Sequence, residues 1–97
     1  MMRDTDFELY SKVIKTWGEG PQLLMVIEEM AKLTKEICKT FRGEDNIEQL
    51  CEETADVLIM LEQLQIIFAD PIKVYDYKQK KLTRLKERLE KSEVKHV

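Results

Sequence analysis

The 97-residue sequence has few residues that interrupt helices or cross-link chains: three glycines, two prolines and two cysteines. Two cysteines cannot build the disulfide framework of a small secreted domain, so we expect a reducing compartment. No apolar run approaches the about 18 residues that a membrane-spanning helix requires, and the start MMRDTDFELY lacks the apolar core of a signal peptide. We therefore expect a cytoplasmic protein without a membrane partner.

The charged residues, 36% of the chain, are unevenly distributed. Residues 72–91 contain eight Lys or Arg against three acids, about +5, which leaves about −8 for the rest of the chain. A basic helix on an acidic body can attract phosphate groups, although basic residues are also common in the C-terminal half of any exposed helix. Because the body is acidic, nucleic-acid binding is the less favoured interpretation.

Helical spacing of the apolar residues predicts an all-α fold with four helices. The length predicts a single domain over 1–97, and residues 92–97 are expected to form a disordered tail. The first helix is expected at about 4–16. The second is expected at 21–41, because the proline at its first position needs no hydrogen-bonded N–H.

Capping signals predict the other helix ends. Gly43 is expected to stop the second helix. Asp45 followed by Glu48 is a capping-box variant that opens the third helix. Asp70 followed by Pro71 reads as the N-cap and first residue of the fourth.

Apolar stripes predict which helix faces pack. The stripe of the second helix comprises Leu23, Ile27, Met30, Thr34, Ile37 and Phe41. The stripe of the third comprises Ile47, Leu50, Cys51, Val57, Leu58, Leu61, Leu64 and Phe68. Cys38 and Cys51, on or near these stripes, are expected to be small core residues.

The end of the third helix and the last helix both suggest self-association. The segment VLIMLEQLQIIF is apolar at nine of twelve positions, so its helix requires burial on several sides. A short four-helix monomer provides little such burial, so we expect a homodimer or tetramer. The last helix adds a narrow seam for another helix, formed by Tyr75, Lys78, Leu82, Leu85 and Leu89.

Carboxylates are concentrated on the two central helices. Glu28 and Glu29 lie on the second helix, and Glu53 and Asp56 lie three residues apart on the third, and therefore on one side of it. The short connection requires antiparallel packing, which places Glu29 beside Glu53 and Asp56. Such a group of oxygens suits Mg²⁺. The alternative is a solvated face with local charge pairs.

Three motifs follow one another along the chain: WGEGPQ at 17–22, IEEMAKL at 27–33 and CEETADVLIMLEQL at 51–64. Their order and spacing resemble the MazG-like all-α nucleoside triphosphate pyrophosphohydrolases, over residues 14–88. The resemblance implies a four-helix bundle completed by dimerisation, with Mg²⁺, or Mn²⁺ as a substitute, between the two central helices. It implies cleavage of a nucleoside triphosphate to pyrophosphate and the monophosphate.

The resemblance also implies roles for individual residues. Glu29, Glu53 and Asp56 correspond to metal ligands, and Glu28 to a further ligand or a water-orienting base. Lys32 stands where the family pattern has a glutamate, and an ammonium cannot ligate a metal.

Three outcomes are open for Lys32. It replaces one cation and contacts phosphate as a catalytic residue, or it forms a salt bridge with Glu29 or Glu36. In the third outcome, Glu28 or Glu36 substitutes as a ligand.

The basic segment YKQKKLTRLKERL resembles the part of the family that contacts phosphate. Lys81 and Arg84 are the matching positions, and Lys78 is a third candidate. Trp17 and Gln22 are candidates for binding the base. The alternatives are a solvated basic face, a core or interface position for Trp17 and an exposed position for Gln22.

The sequence therefore predicts a Mg²⁺-dependent nucleoside triphosphate pyrophosphohydrolase. Because of Lys32, it also allows a non-catalytic helical dimer of the same class that binds nucleotide or a protein partner.

Overall fold

The computed structural model describes residues 2–68 and 70–95, and that part of the chain contains four helices. They are α1 (Asp4–Trp17), α2 (Glu19–Phe41), α3 (Ile47–Ile67) and α4 (Pro71–Lys95). The predicted all-α class with four helices is confirmed for these residues. The tail predicted at 92–97 begins within α4, and residues 96 and 97 lie outside the described ranges. Within those ranges, no helix has the length and apolar character of a membrane span.

A single glycine separates α1 from α2. Gly18 has a φ of +98°, which an L side chain rarely adopts, and its N–H donates to the carbonyl of Ile14 at 2.8 Å. The N–H of Gln22 already donates to the carbonyl of Gly18 at 3.3 Å. The second helix therefore begins at Glu19, two residues before the predicted start.

The C-terminus of α2 is closed as predicted at Gly43. This residue has a φ of +83°, and its N–H donates to the carbonyl of Thr40 at 3.0 Å. The N–H of Glu44 donates to the carbonyl of Lys39 at 3.1 Å, which completes a Schellman motif. The motif turns the chain at once toward α3.

The predicted capping box at the start of α3 is wrong. Asn46, not Asp45, precedes the first helical residue, and its side chain caps no N–H of α3. Its Nδ2 instead donates to the carbonyl and to the Oε2 of Glu36, both at 2.9 Å, and its Oδ1 accepts from the Thr40 hydroxyl at 3.1 Å. This buried side chain is thus committed to joining α3 to α2.

The predicted cap of α4 is confirmed. The Asp70 Oδ1 accepts from the N–H of Ile72 at 2.9 Å, one of the donors that a helix N-terminus leaves without a partner. Every residue from 72 to 94 is exposed, and α4 packs against α3 but not against α2. The radius of gyration is 17.1 Å, against about 12.5 Å for a compact domain of this length.

The main packing unit is the antiparallel pair α2 and α3, and its buried face differs from the predicted stripes. On α2, the apolar residues Ile27 and Phe41 are 64% and 88% exposed. The residues that α2 buries are Gln22, Val26, Glu29 and Glu36. The stripe identified the most apolar face of α2, whereas within the chain α2 turns its polar face inward.

On α3, the predicted stripe is also partly wrong. Ile47, Leu58 and Phe68 are exposed, whereas Val57 is buried as expected and Met60, from outside the stripe, is buried as well. Because α3 is apolar around most of its circumference, periodicity does not select its inner face.

Both cysteines differ from expectation too. Cys38 and Cys51 are exposed free thiols rather than core residues.

Candidate metal centre

Three carboxylates meet between α2 and α3. Glu29 on α2 and Glu53 and Asp56 on α3 each offer a ligand oxygen, and these oxygens all lie within 4.8 Å of one another. One helical turn places Glu53 and Asp56 on the same side of α3, and the antiparallel packing supplies Glu29. The structure thus brings together the three residues that the sequence predicted as metal ligands.

The environment of these carboxylates fits a cation. Glu29 is only 5% exposed, and its Oε2 is buried without a hydrogen-bond partner among the described residues. The Oε2 of Glu53 is likewise buried and, in the same part of the chain, unpartnered. Buried acceptors without a donor are unfavourable. Opposite ligands of Mg²⁺ lie about 4.2 Å apart, so small side-chain shifts would bring the three oxygens into its coordination distance.

Electrostatic repulsion within the cluster also favours a bound cation. Burial raises the pKa of Glu53, and the negative charges of Glu29 and Asp56 raise it further. Ionising all three carboxylates is therefore unfavourable without a compensating positive charge. A divalent cation is a ligand that supplies this charge.

Lys32 supplies part of that compensation. Its Nζ lies 3.2 Å from the Oε1 of Glu29, and this hydrogen bond raises the pKa of Lys32. The charges of Glu29, Glu53 and Asp56 act in the same direction. Of the three outcomes left open by the sequence, the structure contains the salt bridge with Glu29.

The remaining acids of α2 lie outside the cluster. Glu28 is exposed and is not one of the three residues that meet. The proposed substitution by Glu36 is wrong, because its Oε2 accepts from Asn46 and its Oε1 accepts from Lys39 at 3.1 Å. Glu36 is thus held at the junction of α2 and α3.

The two candidates for base binding are not brought together in one cleft. Trp17 is 64% exposed and lines a cleft of about 480 Å³ between α1 and α3. Tyr10 also lines this cleft, and its hydroxyl donates to Glu62 at 3.3 Å. Gln22 is 6% exposed, contrary to the exposed alternative, and is not a lining residue.

Gln63 is a polar residue of this cleft that the sequence analysis did not single out. Gln63 lines it, is 5% exposed and has a buried Oε1 without a partner among the described residues. Gln63 lies within the apolar run VLIMLEQLQIIF, and no spacing signal distinguished it.

The candidate phosphate ligands lie on α4. Lys78 and Lys81 line a groove of about 420 Å³ on this helix, whose other lining residues are Val74, Tyr77, Leu82 and Leu85. Arg84 is exposed. Because α4 does not pack against α2 of its own chain, one copy of the chain does not close these cations over the cluster.

Comparisons with protein-family models, curated proteins and solved structures find no match to this chain. The functional assignment therefore depends on the chemistry of the α2–α3 cluster and on the motifs that build it. Three converging carboxylates, two of which have a buried oxygen without a partner among the described residues, can bind a divalent cation and hold it at the protein surface. Such a cation can in turn bind a phosphate chain.

Proposed function

We propose that this chain is a Mg²⁺-dependent nucleoside triphosphate pyrophosphohydrolase of the MazG-like class, with Mn²⁺ as a substitute ion. The observation that carries the proposal is the convergence of Glu29, Glu53 and Asp56, two of which have a buried oxygen without a partner in the described chain. The motif order provides independent support. The products are pyrophosphate and the nucleoside monophosphate.

Each predicted residue has a place in this proposal. Glu29, Glu53 and Asp56 hold the ion, which neutralises charge on the triphosphate and activates water when bound. Glu28, exposed on α2, orients the attacking water. Lys32 lies at the edge of the site beside Glu29.

The other candidates act on the remainder of the nucleotide. Lys81 and Arg84, with Lys78, stabilise the phosphate charge that develops as the bond breaks. Trp17 stacks on the base, and Gln22 contributes a hydrogen bond from the packed face of α2.

The proposal includes a homodimer or tetramer. The accessible surface of the chain is 7986 Å², about 2,200 Å² more than a compact protein of this mass exposes. An excess of this size in each copy corresponds to an obligate interface. Assembly also offers a way for the basic α4 of one copy to approach the acidic cluster of another, because α4 does not reach α2 within its chain.

We place this assembly in the cytoplasm. Cys38 and Cys51 are free thiols on the surface. A reducing compartment preserves exposed thiols of this kind.

The test is pyrophosphate release from a panel of nucleoside triphosphates with Mg²⁺, comparing the natural chain with Glu53→Gln. We expect the natural chain to release pyrophosphate and the variant to lose this activity while remaining folded. Glu52→Gln is the matched control, because Glu52 is exposed on the same helix and outside the cluster. Unchanged activity in Glu53→Gln contradicts the site assignment.

A non-catalytic nucleotide-binding dimer is the second candidate, and the Lys32–Glu29 salt bridge favours it. This pair engages the Oε1 of Glu29, one of the carboxylate oxygens of the candidate metal site. Under this alternative, Mg²⁺ plus nucleotide raises the melting temperature through Glu53, since a ligand of the folded state stabilises it. No triphosphate in the panel then releases pyrophosphate.

A further inference from the structure

We propose that Lys32 takes the place of a second metal ion, so that the site holds one divalent cation and one ammonium group that share Glu29. The inference rests on the proposed function and deepens it, because it fixes how many ions the site accepts. It concerns a residue that departs from the pattern of the MazG-like class.

The two oxygens of Glu29 are already divided between different roles. Its Oε1 lies 3.2 Å from the ammonium nitrogen of Lys32. Its Oε2 is buried and has no partner among the described residues, although Glu53 and Asp56 offer oxygens nearby. A carboxylate that binds an ammonium with one oxygen and a metal ion with the other bridges two positive charges.

A second salt bridge on α2 shows that this division is specific to the cluster. Lys39 lies 3.1 Å from Glu36 with the same spacing of three residues. There, however, the other oxygen of Glu36 accepts a hydrogen bond from Asn46 at 2.9 Å. The Lys39–Glu36 pair is fully satisfied by the protein, whereas the Lys32–Glu29 pair leaves one oxygen available.

The charge of the cluster selects one divalent ion. Glu29, Glu53 and Asp56 contribute −3 when ionised, and the ammonium of Lys32 reduces this to −2. One divalent cation neutralises that charge, and a second would leave an excess of +2 beside the buried Glu29. The variant Lys32→Glu brings the charge to −4 and supplies a fourth carboxylate, which suits two divalent ions.

The exposure of Lys32 places the ammonium at the mouth of the cluster. The side chain of Lys32 is 57% exposed, whereas that of Glu29 is 7% exposed. The Lys32 side chain is therefore accessible to a phosphate group that approaches the cluster from solvent. In that place a fixed positive charge can contact phosphate as a second metal ion would.

The test is a titration of the natural chain and of Lys32→Glu with Mn²⁺ alone. Calorimetry gives the number of ions bound, and electron paramagnetic resonance shows whether they are isolated or coupled. We expect one ion per natural chain and an isolated-ion spectrum. We expect two ions per chain in Lys32→Glu, with the spin coupling of a metal pair about 3.5–4 Å apart. Lys35→Glu, which makes the same charge change one turn along the exposed face of α2, is the control and retains one ion.

A second variant keeps the proposal testable if Lys32→Glu fails to fold. Lys32→Met removes the ammonium without adding a ligand, so a single Mn²⁺ should bind about tenfold more tightly or better. Unchanged affinity in Lys32→Met overturns the inference.

The outcomes separate the inference from the proposed function. Two ions in the natural chain, or one in a folded Lys32→Glu, overturn the inference and leave the metal-dependent function standing. No ion in the natural chain or in either Lys32 variant overturns both.

Discussion

The inner and outer surfaces of the described helices both depart from the usual distribution of polar and apolar side chains. The buried residues of the described chain include five polar or charged side chains beside five apolar ones; the polar ones are Gln22, Glu29, Glu36, Asn46 and Gln63. The outer faces and α4 instead expose large apolar side chains, with Phe41 at 88% and Phe68 at 70%. Buried charged groups and large exposed apolar side chains are both unusual in a stable monomer. The inner region contains the candidate metal centre, and the outer region offers exposed apolar surface to which the proposed second copy can bind.

The largest expected effect lies in the inner region. Asp56→Asn removes one of three converging carboxylates, so Mg²⁺-dependent pyrophosphate release should fall about 10³-fold. The melting temperature without metal should stay the same or rise, because one of three repelling charges is lost. Enzyme assays and thermal melts with and without Mg²⁺ measure both effects. A variant that unfolds without metal contradicts the view that this interface is built for an ion.

A smaller effect is expected in the outer region. Leu85→Gln places an amide in the apolar groove of α4, where Leu85 is 56% exposed in one copy. Losing about 1.5 kcal/mol of burial in each of two copies weakens a symmetric dimer roughly 10²-fold. Light scattering across a dilution series measures this change.

A control substitution distinguishes the contribution of the groove to dimer affinity from a general effect of an added amide on α4. Thr83→Gln introduces the same amide on the same helix, but Thr83 does not line the groove. Equal weakening by both substitutions would show that this groove is not the contact surface.

A third effect is expected where α2 meets α3. Asn46→Ala removes a buried side chain that donates twice to Glu36 and accepts from Thr40. We expect a loss of about 2–3 kcal/mol in the free energy of unfolding, because buried polar groups lose their partners. Asp45→Ala is the control and should be nearly neutral, since Asp45 is exposed and Asn46 is the residue that precedes α3. Chemical denaturation of both variants measures these changes, and equal losses in the two variants would contradict the role assigned to Asn46.

The smallest expected effect is on the pH dependence of stability. The hydrogen bond from Asn46 and the pairing with Lys39 lower the pKa of Glu36. Its stabilising contribution is therefore present above the ordinary carboxyl pKa of about 4.3, and it is lost as the pH falls through the lower folded value.

Glu36→Gln should consequently lower the free energy of unfolding near neutral pH. The decrease in this free energy between neutral and acidic pH should be smaller than in the natural chain. Urea unfolding from pH 7 to pH 3 measures this, with the exposed Glu48→Gln as the comparison. If Glu36→Gln lost as much stability between pH 7 and pH 3 as the natural chain, the contribution assigned to this carboxylate would be contradicted.

The predictable features are those that depend on local chemistry. Gly43 and Asp70 determined helix ends because a positive φ and a side-chain acceptor are needed at those places. The meeting of Glu29 with Glu53 and Asp56 followed from helical spacing and a short connection.

The unpredictable features depend on long-range packing. Ile27 and Phe41 form an apolar stripe, but amphipathicity does not reveal whether that stripe packs within the chain or outside it. Asp45 has the spacing of a capping residue, yet Asn46 is the residue that precedes α3. Its side-chain amide donates to Glu36, ten residues away. That contact exists only after α2 and α3 have packed.

The most direct test of the central claim is an anomalous difference map from crystals of the protein grown with Mn²⁺. The account predicts a peak at the centre of the Glu29, Glu53 and Asp56 oxygens, and no such peak in Glu53→Gln crystals grown in the same way. The account would be contradicted if crystals of the natural chain, grown at a Mn²⁺ concentration that saturates binding in solution, gave a map without a peak at this position.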